Sequence, residues 1–350
     1  MNYQLLGPSG LRVSQLCLGA MTFGEEWGWG SSAETAGTIY QSFRDAGGNF
    51  VDTADVYTNG NSERILGQLI AGHRHEVVLA TKFTAAMGTD PNSAGNHRKK
   101  IMQSVEASLR RLATDYIDLY WVHSWDQITP AAETLRALDD LVSQGKINYI
   151  GSSDTPAWIV SESNAIADLR GWASFAAIQV EYNLLERTVE RDLLPMAKHH
   201  GLAVLAWSPL ANGLLTGKYH EGESPDPHSR LNTPGLPPDW TLHKERASRV
   251  AEVVVNVATQ LGHRPAQIAL AWLRQQGPNV IPILGARKPE QFAENLRSLD
   301  VVIPQNALDQ LNQVSAVDLG FPQTFLSRDL LRSLVFAGHR DSIQTARFLF

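Results

Sequence analysis

From about residue 49 onward, short β-branched or apolar runs alternate with amphipathic stretches. The runs cover residues 49–52, 77–82, 117–123, 147–152, 177–181, 202–207 and 280–285, and residues 16–19 make an eighth. Each is apolar nearly throughout, the pattern of parallel strands buried on both faces. The segments between them carry helical periodicity. Ile101, Val105, Ser108, Leu109 and Leu112 share one face, as do Val250, Val254, Val257 and Leu261. Ser31 and Glu34 predict a capping box ahead of Ile39, Phe43 and Ala46. Thr129-Pro130 predicts an N-cap followed by proline at the first helical position, with Gly145 closing that helix. Gly47-Gly48 and Gly201 stand where helices hand over to strands.

Eight strands alternating with helices leave two architectures, an open doubly wound sheet or a closed barrel. An open nucleotide-binding sheet carries a glycine-rich turn after its first strand, and Gly19-Ala20-Met21-Thr22-Phe23-Gly24 lacks that spacing. Polar residues or tryptophan instead follow almost every strand: Asp52, Lys82, His123, Ser153, Gln179, Trp207 and Arg287. A closed barrel converges such positions on one mouth. The expected fold is therefore α/β, a (β/α)8 TIM barrel.

Two regions depart from the repeat. Residues 211–243, after the seventh strand, form a long connection rich in proline and glycine, read as a functional lid. Residues 319–350 carry Phe321, Phe325, Phe336, Phe348 and Phe350, an apolar tail expected to pack across a barrel end. No repeat, linker or low-complexity segment marks a second domain. Residues 1–350 read as one domain, with the barrel over about 16–300 and a C-terminal helix and tail over about 304–350.

Composition narrows the function. The chain has 350 residues, 43% apolar and 19% charged, ample for a core. A net charge of −6 argues against a non-specific nucleic-acid binder while leaving room for a local basic pocket. The one cysteine, Cys17, rules out an intramolecular disulfide and a cysteine-rich metal site, and its apolar run predicts a buried thiol. No run is long enough to span a bilayer, and the N-terminus Met1-Asn2-Tyr3-Gln4 lacks a basic, apolar leader, so a cytoplasmic protein is expected.

Asp52 ends one strand, Lys82 the next and His123 the one after, and Tyr57 can fold back over the same mouth. A lysine closing a buried strand needs a counter-charge, which Asp52 can supply. The cation beside Tyr57 would pull the phenol down from about 10 toward a useful general acid. His123 can orient a carbonyl and stabilise its oxygen as charge develops. Such a site polarises C=O and delivers a proton; a hydride must come from a cofactor. Alone, each residue has a plainer reading: a loop-capping aspartate, a structural histidine, a surface tyrosine. Two rival chemistries share parts of the pattern. One is a barrel aldolase using Lys82 as a Schiff-base amine, against which Asp52 and Tyr57 favour a charged lysine. The other is a zinc hydrolase, for which His123 lacks companions at suitable strand ends, so no metal is expected.

The sequence resembles the aldo-keto reductase family at Asp52-Thr53-Ala54 with Tyr57, Thr81-Lys82, His123, Gly151-Ser152-Ser153, Gln179, Trp207-Ser208-Pro209-Leu210 and Gly285-Ala286-Arg287 with Gln291, Glu294 and Asn295. These motifs run in order through residues 3 to about 300. The resemblance implies a barrel opened by an N-terminal β-hairpin, here over residues 3–6 and 13–15, and NADP(H) laid across the strand ends. It makes Asp52, Tyr57, Lys82 and His123 the catalytic four. Ser153, Asp154 and Gln179 would meet the nicotinamide carboxamide, and Trp207 would stack on the ring. Trp at that position is similar to the branch of the potassium-channel β subunits, and a redox-sensing, NADPH-binding module is the alternative reading it implies. Ser208, Pro209, Leu210, Asn212 and Lys218 match the pyrophosphate segment. Gly285, Arg287, Gln291, Glu294 and Asn295 match the adenosine 2′-phosphate and adenine positions, with guanidinium suited to phosphate. Met21 matches a cofactor-facing backbone position, and Arg230 is a second candidate clamp or else a solvated loop arginine. One departure stands out: the family often has Ser-Asn where this chain has Ser153-Asp154, and a carboxylate cannot donate to the carboxamide oxygen. Trp27, Trp29 and Trp125 are expected to line the mouth with Tyr57 and His123, suiting a small carbonyl substrate with an apolar, aromatic or sugar body.

Overall fold

The computed structural model describes residues 1–218, 244–277 and 279–344. Among the described residues, eight parallel strands close into a barrel: β3 (Cys17–Gly19), β4 (Phe50–Asp52), β5 (Val78–Phe83), β6 (Ile117–Val122), β7 (Ile147–Ser153), β8 (Phe175–Glu181), β9 (Ala203–Trp207) and β10 (Val280–Leu284). Sequential strands are neighbours and β10 returns to β3, with Ile283 opposite Cys17. An antiparallel hairpin precedes them, β1 (Tyr3–Leu5) with β2 (Arg12–Ser14), in the register Tyr3 to Ser14. The TIM barrel and the hairpin are both as expected.

Strand parity splits the apolar interior in two. Leu18, Val51, Leu79, Tyr120, Ile150, Ile178, Val204 and Leu284 point outward and join the helices in one continuous core. Cys17, Phe50, Val78, Ala80, Leu119, Trp121, Ala177, Ala203, Leu205, Ile281 and Ile283 fill the inside of the barrel. Leu6 and Val13 from the hairpin, both fully buried, belong to that inner set and close the N-terminal end. The hairpin sits so close that a Cβ on Gly7 would lie 2.1 Å from the Ala176 carbonyl oxygen, at a φ of +55° that glycine alone adopts easily.

The outer layer comprises α1 (Ala33–Asp45), α2 (Asn61–Ile70), α3 (Arg98–Leu112), α4 (Ala131–Ser143), α5 (Ala157–Arg170), α6 (Leu193–His200), α7 (Lys244–Leu261), α8 (Pro265–Arg274), α9 (Pro289–Leu296) and α10 (Gln305–Val314). The cap of α1 is Ser32 rather than Ser31: its Oγ accepts the Thr35 N–H at 3.2 Å, while Ser31 donates to the Arg287 carbonyl. Helix α4 starts one residue later than expected, at Ala131, because the Thr129 hydroxyl is held by Asp126 instead of capping. Gly145, at φ +71°, follows its C-cap as predicted.

Two further expectations concern the connection after β9 and the tail. Of the long connection after β9, residues 211–216 form a short 3-10 segment, and 219–243, Arg230 included, lie outside the described residues. The described part of the tail leaves several large apolar side chains exposed. Phe321, Leu330, Leu334 and Val335 are exposed, on and beside the short helices α11 (Gln323–Leu326) and α12 (Asp329–Phe336). Its attachment is polar, the Gln323 side-chain amide donating to the Arg191 carbonyl. Phe348 and Phe350 fall outside the described residues.

Candidate active site

The alternation that places Phe50, Ala80, Trp121 and Ala177 inside the barrel carries two residues further to Asp52, Lys82, His123 and Gln179. Parity therefore turns these polar side chains inward at the C-terminal ends of four neighbouring or nearby strands. Lys82 is fully buried, and its ammonium bonds the Asp52 carboxylate, the Thr53 carbonyl at 2.8 Å and the Tyr57 hydroxyl at 3.3 Å. Gln179 Nε2 donates to the other Asp52 oxygen at 3.2 Å. The rings of Tyr57 and His123 meet edge-on with centroids 5.7 Å apart.

Electrostatics follow from burial and from these contacts. Burial alone would push Lys82 down, but Asp52 and Tyr57 outweigh it and hold the ammonium up at about 12. Burial lifts the Asp52 carboxyl against the pull of Lys82. Burial, then the Lys82 charge, pushes His123 down to about 3, so the imidazole is neutral at any working pH. On sequence grounds the Tyr57 phenol is expected below its ordinary value, drawn down by Lys82. Here it is raised: burial dominates, and the negative Asp52 works against the Lys82 attraction. Tyr57 is thus a protonated phenol facing a neutral imidazole, beside a permanent cation.

A profile of the Aldo/keto reductase family matches residues 15–316. Norsolorinic acid reductase A of Aspergillus parasiticus is 36% identical over 337 residues, covering 93% of this chain and 84% of that protein. An aryl-alcohol dehydrogenase [NADP(+)] of Phanerodontia chrysosporium is 35% identical over 359 residues, covering 97% and 92%. A putative aryl-alcohol dehydrogenase of Saccharomyces cerevisiae is 35% identical, covering 92% and 88%. The chain belongs to the aldo/keto reductase family. It is accordingly an oxidoreductase.

In this aldo/keto reductase the candidate cofactor positions lie near the C-terminal ends of β3, β7, β8, β9 and β10 or in the segments that follow them. Ser153 and Gln179 are buried. Asp154, at φ +45°, accepts the Trp207 indole N–H at 3.0 Å, so its carboxylate is already engaged with the candidate stacking ring. Beyond β9 the backbone takes positive φ at Ser208, Ala211, Asn212 and Gly213, with Pro209 and Leu210 in the same turn. The buried Asn212 Oδ1 has no hydrogen-bond partner. On the adjoining strands, the 285–287 loop after β10 is stitched to the loop carrying Met21: Thr22 donates to the Ala286 carbonyl at 2.8 Å and Ser31 to that of Arg287 at 3.1 Å. Gly285 is exposed, and a Cβ there would meet only the Gly19 carbonyl oxygen, at 3.9 Å. Gln291 is exposed, Asn295 buried, and Glu294 pairs with Arg264 at 3.0 Å. Lys218 is exposed at the end of the described part of its loop.

The three tryptophans separate. Trp27 stacks at 5.6 Å on Trp29 and edge-on at 6.2 Å on Tyr57, extending the aromatic wall of the four. Trp125 instead meets Trp158 at 5.7 Å, lining a cavity of about 430 Å³ at the starts of α4 and α5 that none of the four touches. The cause is Asp126, which binds the Asn96, Ile128 and Thr129 backbone N–H groups and turns the chain outward just after His123.

Sequence reasoning passed over a second charged group behind the site. Asp55, Glu63 and Lys100 are buried on the outer side of the wall, with Arg111 partly buried beside Glu63. A signal for it existed: Glu63 shares the buried face of α2 with Leu66 and Ile70, and Lys100 sits beside Ile101 on that of α3. A charged residue at an apolar-face position is seldom unpartnered.

Proposed function

We propose that this protein reduces aryl aldehydes and ketones to alcohols with NADPH, Tyr57 giving the proton. The observation that carries this is the convergence of Asp52, Lys82, Tyr57 and His123, with the ammonium 3.3 Å from the phenol oxygen. The residues present fit the dinucleotide: the turn after β9 strings together backbone of positive φ, leaves the buried acceptor Asn212 Oδ1 for a hydroxyl or amide of the ligand, and lies next to β10 with its open Gly285. Ser153, Gln179 and Trp207 would hold its nicotinamide end, and Arg287 with Lys218 its phosphates. When bound, NADPH supplies the hydride.

The chain's own groups supply the rest. His123 is neutral, so its one N–H can point at the carbonyl oxygen without adding charge. Tyr57 holds its proton until the oxygen becomes basic, then passes it across. The phenolate left behind lies next to Lys82, whose charge Asp52 secures. The aromatic preference rests on the Trp29–Trp27–Tyr57 wall and accords with the aryl-alcohol dehydrogenases among the relatives. Asp154 buttresses Trp207 in place of a carboxamide donor.

The test is Tyr57→Phe assayed with an aryl aldehyde. Turnover is expected to fall by roughly 10²–10⁴-fold while NADPH affinity, read by fluorescence titration, is retained. Unchanged turnover would overturn the mechanism; an inactive wild type that still binds NADPH would favour the regulatory module. Equal kcat/KM with NADH and NADPH would remove the cofactor preference.

A further inference from the structure

The turn that carries Tyr57 is gripped on both sides of the barrel wall. On the inside, Asp52 and the Thr53 carbonyl are bound to Lys82. Between them and Tyr57, the Asp55 backbone N–H donates to the Lys82 carbonyl at 3.1 Å, and the Tyr57 N–H donates to that of Ala54 at 3.2 Å. The Asp55 side chain goes the other way, outward into the space between the strands and helices α2 and α3.

There it is almost alone. Asp55 is 1% exposed, and neither carboxylate oxygen has a hydrogen-bond partner. Among the described residues its one ion pair is with Lys100 Nζ, 3.5 Å from Oδ2 and 5% exposed, on the first turn of α3. The groups around it are committed elsewhere or uncharged. Glu63 of α2 accepts the Thr81 hydroxyl and the Arg111 guanidinium, both at 2.6 Å. The Tyr120 hydroxyl of β6 is buried without a partner. A carboxylate held by one long contact is a costly element of a barrel wall. A neutral residue would fill the same space more cheaply unless the contact has a task, and the task the geometry offers is tension on the turn.

We propose that Asp55 is a positioning residue, whose ion pair with Lys100 fastens the Tyr57 turn to α3 and sets the phenol against Lys82 and His123. This rests on the reading of Tyr57 as proton donor. The tether is strongest when Asp55 is ionised. Burial raises its carboxyl to about 7, against the attraction of Lys100 and Arg111 and with the repulsion of Glu63. Turnover should therefore climb as pH rises through about 7.

The experiment compares kcat, KM, NADPH affinity and the pH profile of kcat for wild type, Asp55→Asn, Asp55→Glu and Lys100→Met. Asp55→Asn is expected to lose about tenfold in kcat with KM and NADPH affinity unchanged, and to lose the inflection near neutrality, because a small displacement of the acid is felt in the chemical step. Lys100→Met should lose kcat in the same way, and Asp55→Glu, which keeps the charge, should recover part of it. Asp55→Asn or Lys100→Met with wild-type kcat and an unaltered inflection overturns the proposal. If neither variant folds, the wild type decides: a kcat profile with no inflection near pH 7 overturns it equally. Full turnover in Tyr57→Phe would defeat the proton-donor reading; wild-type behaviour of Asp55→Asn beside an inactive Tyr57→Phe would defeat the tether alone.

Discussion

Two aspartates three residues apart, Asp52 at the end of β4 and Asp55 in the turn after it, each pair with a lysine, one inside the barrel wall and one outside, and the two pairs are built differently. Inside, Asp52 and Lys82 touch directly, and Gln179 and the Thr53 carbonyl complete their bonding. Outside, Asp55 and Lys100 stand 3.5 Å apart, and the carboxylate has no hydrogen bond. Residue type and burial are the same; the supply of further partners is not. The lesson is that a buried charge is fixed by its second and third contacts. Burial raises both carboxyls; the inner one faces an ammonium held up at about 12, and the outer one is pushed up to about 7.

The contrast can be broken by experiment. Its largest consequence attends Lys82→Met, which strands Asp52 in the interior. Unfolding in urea should show a loss of about 3–5 kcal/mol, and NADPH oxidation should fall to background. Lys100→Met should cost less, about 1–3 kcal/mol, because Asp55 is already close to accepting a proton and can neutralise itself. Equal losses for the two variants would erase the distinction between the pairs. The smallest effect is in pH dependence. Folded Asp55 keeps its proton to about 7, whereas an unfolded aspartate releases it near about 3.9. Between those values the native state binds more protons, so Asp55 makes stability decline as pH rises across the window and then level off. In Asp55→Asn this component is gone, and the urea midpoint between pH 5 and 7 should decline less steeply than in wild type.

Much of this was legible in the sequence because strand alternation leaves few choices. Once the runs at 49–52, 77–82 and 117–123 are read as parallel strands, Asp52, Lys82 and His123 fall at their ends, and the register confirms that they share a face. What stayed hidden has physical reasons. Asp55 lies in a turn, where no periodicity says which way a side chain points. The Tyr57 phenol is governed by desolvation, which depends on everything packed around it. The choice of Ser32 over Ser31 as cap turns on a carbonyl more than 250 residues away, that of Arg287. The tail was read from its phenylalanines alone, and apolar content tells what a segment could bury, not whether a surface is there to receive it.

The hairpin at the start of the chain has a consequence for where the site stands. Leu6 and Val13 pack beneath an interior already filled by Phe50, Ala80, Leu119 and Trp121, so the barrel is a solid plinth rather than a tube. Asp52, Lys82, His123 and Gln179 stand on its upper face, two residues beyond the last inward-facing apolar layer.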